Sequence, residues 1–224
     1  AISFNKDVDT DATNTGCDLA VYIDSRKTYR NAGNTAPLAP SVSDDLRNTV
    51  SSIDGAKLEL ITNDEELTAL ANIIGPMERL RLLNPESHYE FYEQQIRWNE
   101  EEYLAARDGV NFASLNISVP EQIGLKMVKN PNAASLLREW NGGQALEYTA
   151  RNNMMNATAI GRITMPGSSP EDLIKGGIAM ERLWLLATKH ELSIQPIMTP
   201  MYFFAKMSSE MPAQIKAELS DLKV

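Results

Sequence analysis

The chain has 224 residues, 43% of them hydrophobic and 23% charged, enough for one large domain or two small ones with a sizeable core. Its 21 lysines and arginines against 30 aspartates and glutamates give a net charge of −9. That charge repels a nucleic-acid backbone and an anionic membrane, so neither is expected as a partner. No apolar run reaches bilayer length and no signal peptide is visible. The single cysteine, Cys17, has no internal disulfide partner, which fits a reducing, cytoplasmic compartment. A chain that opens on Ala1 rather than Met reads as a trimmed product or as a domain cut from a longer protein.

In chain order, residues 1–16 are polar and read as a flexible lead-in, with a short strand at Ile2–Phe4. Asp18 to Asp24 is an apolar segment read as helix, and Asn31 to Pro40 is loop by its Gly33, Pro37 and Pro40. Ser41 or Ser43 caps a helix through about Ser52, with Asp44 and Asp45 in its first turn. Lys57 to Thr62 alternates like a strand, and a helix from Asn63 or Asp64 to about Leu83 is broken or kinked near Gly75-Pro76. Pro85 to Asp108 reads as one polar helix with aromatics at Tyr89, Phe91, Tyr92, Trp98 and Tyr103. Asn111 to Val119 is irregular. Helices follow at Pro120–Val128, Ala133–Trp140 and Gln144–Met155, the middle one ended by Asn141-Gly142-Gly143.

The stretch from Asn156 to Pro200 organises the rest. Asn156 to Thr164 is a strand and Pro166-Gly167-Ser168-Ser169 a turn; Ser169 caps the next helix, with Pro170 at its first position and Glu171 and Asp172 at its positive end. That helix carries Ile178, Met180, Leu183, Trp184, Leu185, Leu186 and Ala187 around most of its circumference, which predicts a buried central helix. Leu192 to Ile197 returns as a strand. Many helices around a few short strands make the class α+β, a single domain over 1–224, with the helices of 64–155 as an insertion or cap.

For chemistry, Arg26, Lys27 and Arg30 fall within five positions of an acidic chain, with Thr28 between. Guanidinium forks and a hydroxyl suit a phosphate; the same residues also read as a solvated basic patch balancing nearby acids, and composition alone favours that plainer reading. His88 and His190 lack a Glu three residues before them and, with one cysteine, make no metal site. A Cys17–His pair has no supporting context, and neither a P-loop nor a dinucleotide-binding glycine turn is present. The acids of 86–102 read as a solvated face.

Arg26-Lys27-Thr28-Tyr29-Arg30 after a short apolar segment resembles the Arg-Arg-Ser-x-Arg motif that opens nitroreductase-like flavoproteins. Gly177-x-Ala179-x-x-Arg182-Leu183-Trp184-Leu185-x-Ala187-Thr188 followed by Ile194-Gln195-Pro196-Ile197 is similar to that family's C-terminal core. It looks most like a divergent branch that includes nitroreductase domains fused to ThiF-type adenylating domains. Arg97-Trp98 followed by Ala106-Arg107-x-Gly109-Val110 is similar to the same branch. The resemblance covers about residues 18–205. It implies a nitroreductase-like α+β fold, with a central mixed or antiparallel sheet surrounded by helices and a helical lid over 85–130. It further implies a homodimer with FMN at its interface, reduced by NAD(P)H and passing hydride to a small organic acceptor such as a quinone or nitroaromatic. Arg26, Thr28, Arg30 and, more weakly, Lys27 would hold the phosphate and ribityl chain, with Gln195 and Pro196 near the ring; no catalytic acid or base is demanded. Tyr89, Tyr92 and Trp98 would line a pocket over the ring or pack on a partner subunit.

Two departures bear on the cofactor. The family's Pro-Ser-Ser-x-Asn-x-Gln segment is replaced by Val50-Ser51-Ser52-Ile53-Asp54-Gly55-Ala56-Lys57, and past Tyr202 the basic residues are Lys206, Lys216 and Lys223, with no arginine. FMN held weakly or not at all is therefore among the expectations. So are a non-catalytic flavin-storage protein and a degenerate domain kept for dimerisation or for positioning a fused partner.

Overall fold

A computed structural model of the chain describes residues 17–30, 36–206 and 213–222. The lead-in and strand read over residues 1–16, and most of the loop after Asn31, lie outside them. The elements are α1 (Pro40–Ser51), β1 (Lys57–Ile61), α2 (Asp64–Leu83), α3 (Pro85–Tyr89), β2 (Ile96–Arg97), α4 (Glu100–Ala106) and β3 (Val110–Asn111). They continue as α5 (Val119–Val128), α6 (Pro131–Glu139), α7 (Tyr148–Met155), β4 (Ile160–Thr164), α8 (Pro170–Lys189), α9 (Thr199–Lys206) and α10 (Ala213–Asp221). The class is α+β, mostly helical, as the sequence reads. Among the described residues the sheets hold two strands each, β1 with β4 and β2 with β3, rather than one larger central sheet.

The chain divides into two compact units. The first combines 17–28, 38–60 and 161–194; the second holds 29–37, 61–160 and 195 onward, so every helix expected between 64 and 155 belongs to it.

In the first unit α8 packs on α1 and on a 3-10 turn, Cys17–Tyr22, which replaces the helix read there. Leu46 and Val50 of α1 meet Ala179, Leu183 and Leu186 of α8 in one apolar core. α8 is not buried all round: Leu183, Leu185, Leu186 and Ala187 are buried, while Leu173, Ile174 and Ile178 are exposed. Its apolar residues form an inner face in the C-terminal half and an outer one in the N-terminal half. Ser169 caps it as read, in a reciprocal box with Asp172. α1 instead starts at Pro40, with Ala39 as the capping position and no side-chain cap. Proline's fixed φ favours the first helical turn, so the helix begins ahead of Ser41 and Ser43. Leu192 to Ile197 is not a strand; it contributes one parallel bridge, Ile194 to Thr28.

In the second unit α2 is the hub, packing on α7, α3, α6 and α9. It runs unbroken through Gly75-Pro76. A Cβ at Gly75 would lie 2.6 Å from Arg151 Cγ, so the glycine is what lets that α7 side chain pass. Ala71, Ile74, Met77 and Leu80 of α2 bury against Met154, Phe203, Ile215 and Leu219. Buried charge reinforces the helix. Arg79 Nε donates to Glu147 at 2.9 Å and its Nη1 to the Gly142 carbonyl at 3.1 Å, and its Nη2 pairs with Glu218 of α10.

The single helix read over Pro85–Asp108 is four pieces. α3 passes into a π-helical segment, Glu90–Gln95, then β2, then α4. Asn99 caps α4 by accepting from the Glu102 amide at 2.8 Å, and Arg107 leaves it in the left-handed region at φ 54°. Gly109 follows at φ 71°, where a Cβ would stand 2.5 Å from the Gln95 carbonyl oxygen. Only glycine fits there, and it lets β3 close in parallel on β2, Ile96 opposite Val110 and Arg97 opposite Asn111.

Candidate functional site

The basic segment leaves the 3-10 turn with the Arg26 amide donating to the Tyr22 carbonyl at 2.9 Å. The Arg26 side chain turns onto α8, its guanidinium 4.4 Å from the Trp184 ring centroid. Its Nε is buried and lies 3.1 Å from Glu181 Oε1, close enough for an ion pair but not aligned as a hydrogen bond. Lys27 is exposed and has no ion-pair partner among the described residues, and Thr28 is half-buried in its bridge to Ile194. Arg26, Lys27 and Thr28 thus belong to the first unit. Half-buried Arg30, exposed Gln195 and half-buried Pro196 belong to the second. Gln195 is reached there by Asn153 Nδ2 at 3.3 Å.

Two cations and a hydroxyl in three consecutive residues fit a phosphate chemically. A phosphate on Arg26 competes with Glu181 for a guanidinium that is already neutralised. The segment expected to face a flavin ring fits less well. Ser52 Oγ donates to the Thr49 carbonyl at 2.7 Å and accepts from Arg182 Nη1 at 3.3 Å. Asp54 is paired with Lys175 Nζ at 3.0 Å. Gly55, at φ 80°, makes the turn into β1, and a Cβ there would stand 2.7 Å from Pro166 Cγ. Ser52 therefore ties the end of α1 to α8. The donor set matches the phosphate end of FMN and leaves the ring end unprovided for in this segment.

Hydrogen bonds to Glu171 and Asp54 raise the Lys175 ammonium to about 12, so it is charged throughout the neutral range. His190 lies 3.2 Å from Asp45 at the end of α8, and the Nε2–H of buried His88 donates to the Val128 carbonyl at 2.8 Å. Among the described residues no group of three or more metal-ligating side chains gathers.

The second unit carries an open groove of about 610 Å³ beside the π-helical segment, lined by Tyr92, Glu93, Arg97, Trp98, Glu102 and Lys129 among others. Trp98 is fixed from two sides: its Nε1–H donates to the Tyr92 carbonyl at 3.1 Å and its amide to Glu102 at 2.8 Å. Its ring stacks on Tyr92 at 5.9 Å, nearly parallel, and Lys129 Nζ stands 4.6 Å from its centroid. Arg97 is occupied by Asp108, at 2.6 Å from Nη2.

The sequence reading missed Glu181 and Trp184 as partners of Arg26, and Lys129 as partner of Trp98. Glu181 and Trp184 are three apart on one face of α8, a local signal, but their pairing with Arg26 is long-range and leaves no trace in a sequence window.

No family model matches the chain, and no solved structure does. It is similar to Uncharacterized protein MT1398 of Mycobacterium tuberculosis, 29% identical over 181 residues that make up 81% of this chain. The match spans only 25% of that relative, which is thus a far longer protein.

Proposed function

We propose that the chain is a nitroreductase-like module that binds FMN through the segment Arg26–Thr28 and serves as an NAD(P)H-dependent oxidoreductase, as a homodimer. The observation that carries this reading is the parallel bridge between Thr28 and Ile194. It brings the basic motif alongside the segment that leaves α8, the two stretches on which the family resemblance rests. When bound, FMN supplies the hydride chemistry from NAD(P)H to a quinone-like or nitroaromatic acceptor. In the first unit, Lys27 and the Thr28 hydroxyl are the available phosphate donors, with Arg26 released from Glu181 as the third. Arg30, Gln195 and Pro196 remain candidates from the second unit.

A second reading is a flavin-storage or degenerate module that positions a neighbouring domain, an adenylating ThiF-type domain being the one the resemblance names. It is favoured by the neutralised Arg26 guanidinium, by the engaged Ser52 and Asp54, and by a relative about four times as long as the matched region.

The deciding measurement is the visible spectrum of the purified protein after addition of FMN and desalting. Flavin bands that survive, weaken in Lys27→Ala/Thr28→Val, and strengthen in Glu181→Gln support FMN binding at this segment. A protein that stays colourless at high FMN overturns it and leaves the positioning reading. Retained flavin without NAD(P)H oxidation, with quinone or nitroaromatic present, selects storage over catalysis.

A further inference from the structure

We propose that the groove beside the π-helical segment of the second unit binds a small planar aromatic monocarboxylate, its ring over Trp98 and its carboxylate on Lys129. The proposal lies within one unit and does not depend on the flavin reading.

Its first support is the platform. The Trp98 ring is held by its Nε1–H bond to the Tyr92 carbonyl and by two neighbouring rings, Tyr92 at 5.9 Å and Phe112 at 5.0 Å, yet it remains half-buried. A rigid aromatic face beside an open groove offers stacking without the entropy of ordering a side chain. The groove is open, so a ligand on this ring stays partly solvated.

The second support is the charge inventory. Arg97 is neutralised by Asp108, while Glu102 keeps its charge, its oxygens turned to the neutral donors Trp98 N and Asn99 Nδ2 at 2.8 Å each. Lys129 has no ion-pair partner among the described residues and rests on the Trp98 ring, 4.6 Å from the centroid. A four-carbon stem lets the ammonium swing off the ring onto an arriving anion, exchanging a cation–π contact for a charge-assisted hydrogen bond. Exposed Glu93 on the rim sets the limit. With Glu102 it lines the groove with two carboxylates against the one unpaired ammonium of Lys129, which disfavours a phosphate dianion or a nucleotide more than a monoanion.

The third support is the backbone. The six-residue π-helical segment Glu90–Gln95 widens the turn from which Tyr92 and Glu93 project, and such segments concentrate at functional sites. Left-handed Arg107 and Gly109 then hold β3 against β2, so that Trp98 leaves β2 at a fixed position.

The test is isothermal titration of the full chain, without flavin, with naphthalene-2-carboxylate, its neutral carboxamide, and adenosine monophosphate. Saturable binding of the carboxylate that falls about tenfold in Lys129→Met, with the carboxamide unchanged, is the expected result. Lys129→Gln substitutes if the methionine variant melts early. No saturable binding to the wild type, equal binding of the carboxylate by wild type and variant, or a preference for adenosine monophosphate each overturns the proposal. Because no FMN is present, none of these outcomes bears on the flavin reading.

Discussion

Two tyrosines, one half-buried and one buried, show how a single hydroxyl's surroundings set its worth. Tyr202 accepts from Asn84 Nδ2 at 2.8 Å, whereas the Tyr92 hydroxyl is fully buried and finds no partner among the described residues. Burial accordingly pushes the Tyr92 phenol up, well past its ordinary value. Tyr202→Phe is expected to cost about 1 kcal/mol, and Tyr92→Phe to be neutral or stabilising by up to about 1 kcal/mol, because it removes a desolvated group that gains nothing. Chemical denaturation of the two variants side by side checks this; a Tyr92→Phe loss as large as that of Tyr202→Phe refutes it. Glu78 gives the pH counterpart. Burial works to raise its carboxyl, but the Arg81 charge and hydrogen bonds from Arg81 and Thr199 prevail and hold it below its ordinary 4.5. A folded-state value lower than the unfolded one means stability that is complete above 4.5 and lost as pH falls through the folded value. Glu78→Gln is therefore expected to be less stable at neutral pH and to show a shallower fall in Tm below pH 4.5. An unchanged acid limb would place the acid sensitivity elsewhere. The Glu78–Arg81 pair has the three-residue spacing of a helix face, which a sequence can show, whereas Thr199 with Glu78 and Asn84 with Tyr202 join residues far apart in the chain and leave no local trace.

Elements were legible where their start signals are local. Ser169-Pro170-Glu171-Asp172 announces α8, and the structure realises it: the Ser169 hydroxyl accepts from the Asp172 amide at 3.2 Å while Asp172 accepts from the Ser169 amide at 3.0 Å. The Ser169 hydroxyl, which donates to Asp172 Oδ2 at 2.7 Å, and then the Ser169 amide lower the Asp172 carboxyl. Since the C-terminal half of α8 carries Leu183, Leu185 and Leu186 into the first unit's core, Ser169→Ala should cost about 1 kcal/mol and Ser169→Gly only a few tenths. A thermal melt of each variant decides; equal losses would mean that the cap is not what starts the helix. Legibility failed where a partner strand decides the outcome. Pro85–Asp108 has helical composition, but Ile96 and Arg97 bond to Val110 and Asn111, and that pairing depends on the turn at Arg107 and Gly109. One local clue was there: Asn99 followed by Glu102 is a cap signature in the middle of the supposed helix. α8 misled differently, because apolar residues on all sides read as burial when its outer face, at Leu173, Ile174 and Ile178, meets solvent.

At the scale of the molecule, each unit has its own apolar core, and the residues that the family resemblance nominates are divided between the units. Their number and order were legible in the sequence; their existing partners were not. That difference makes ligand linkage the informative whole-chain measurement. A ligand that binds only the folded chain adds about 2.7 kcal/mol at roughly 100 times its Kd. For a protein of 224 residues this raises Tm by about 5–10 °C. FMN at that excess is expected to produce such a shift, with amide exchange slowed at Arg26–Thr28 and around Ile194. Glu181→Gln should reach the same shift at lower FMN, because the guanidinium no longer has to leave a carboxylate 3.1 Å away. A shift without protection at these positions moves the flavin to other residues. No shift at any FMN concentration leaves Arg26 as a strut between the 3-10 turn and α8, its cation spent on Glu181 and Trp184.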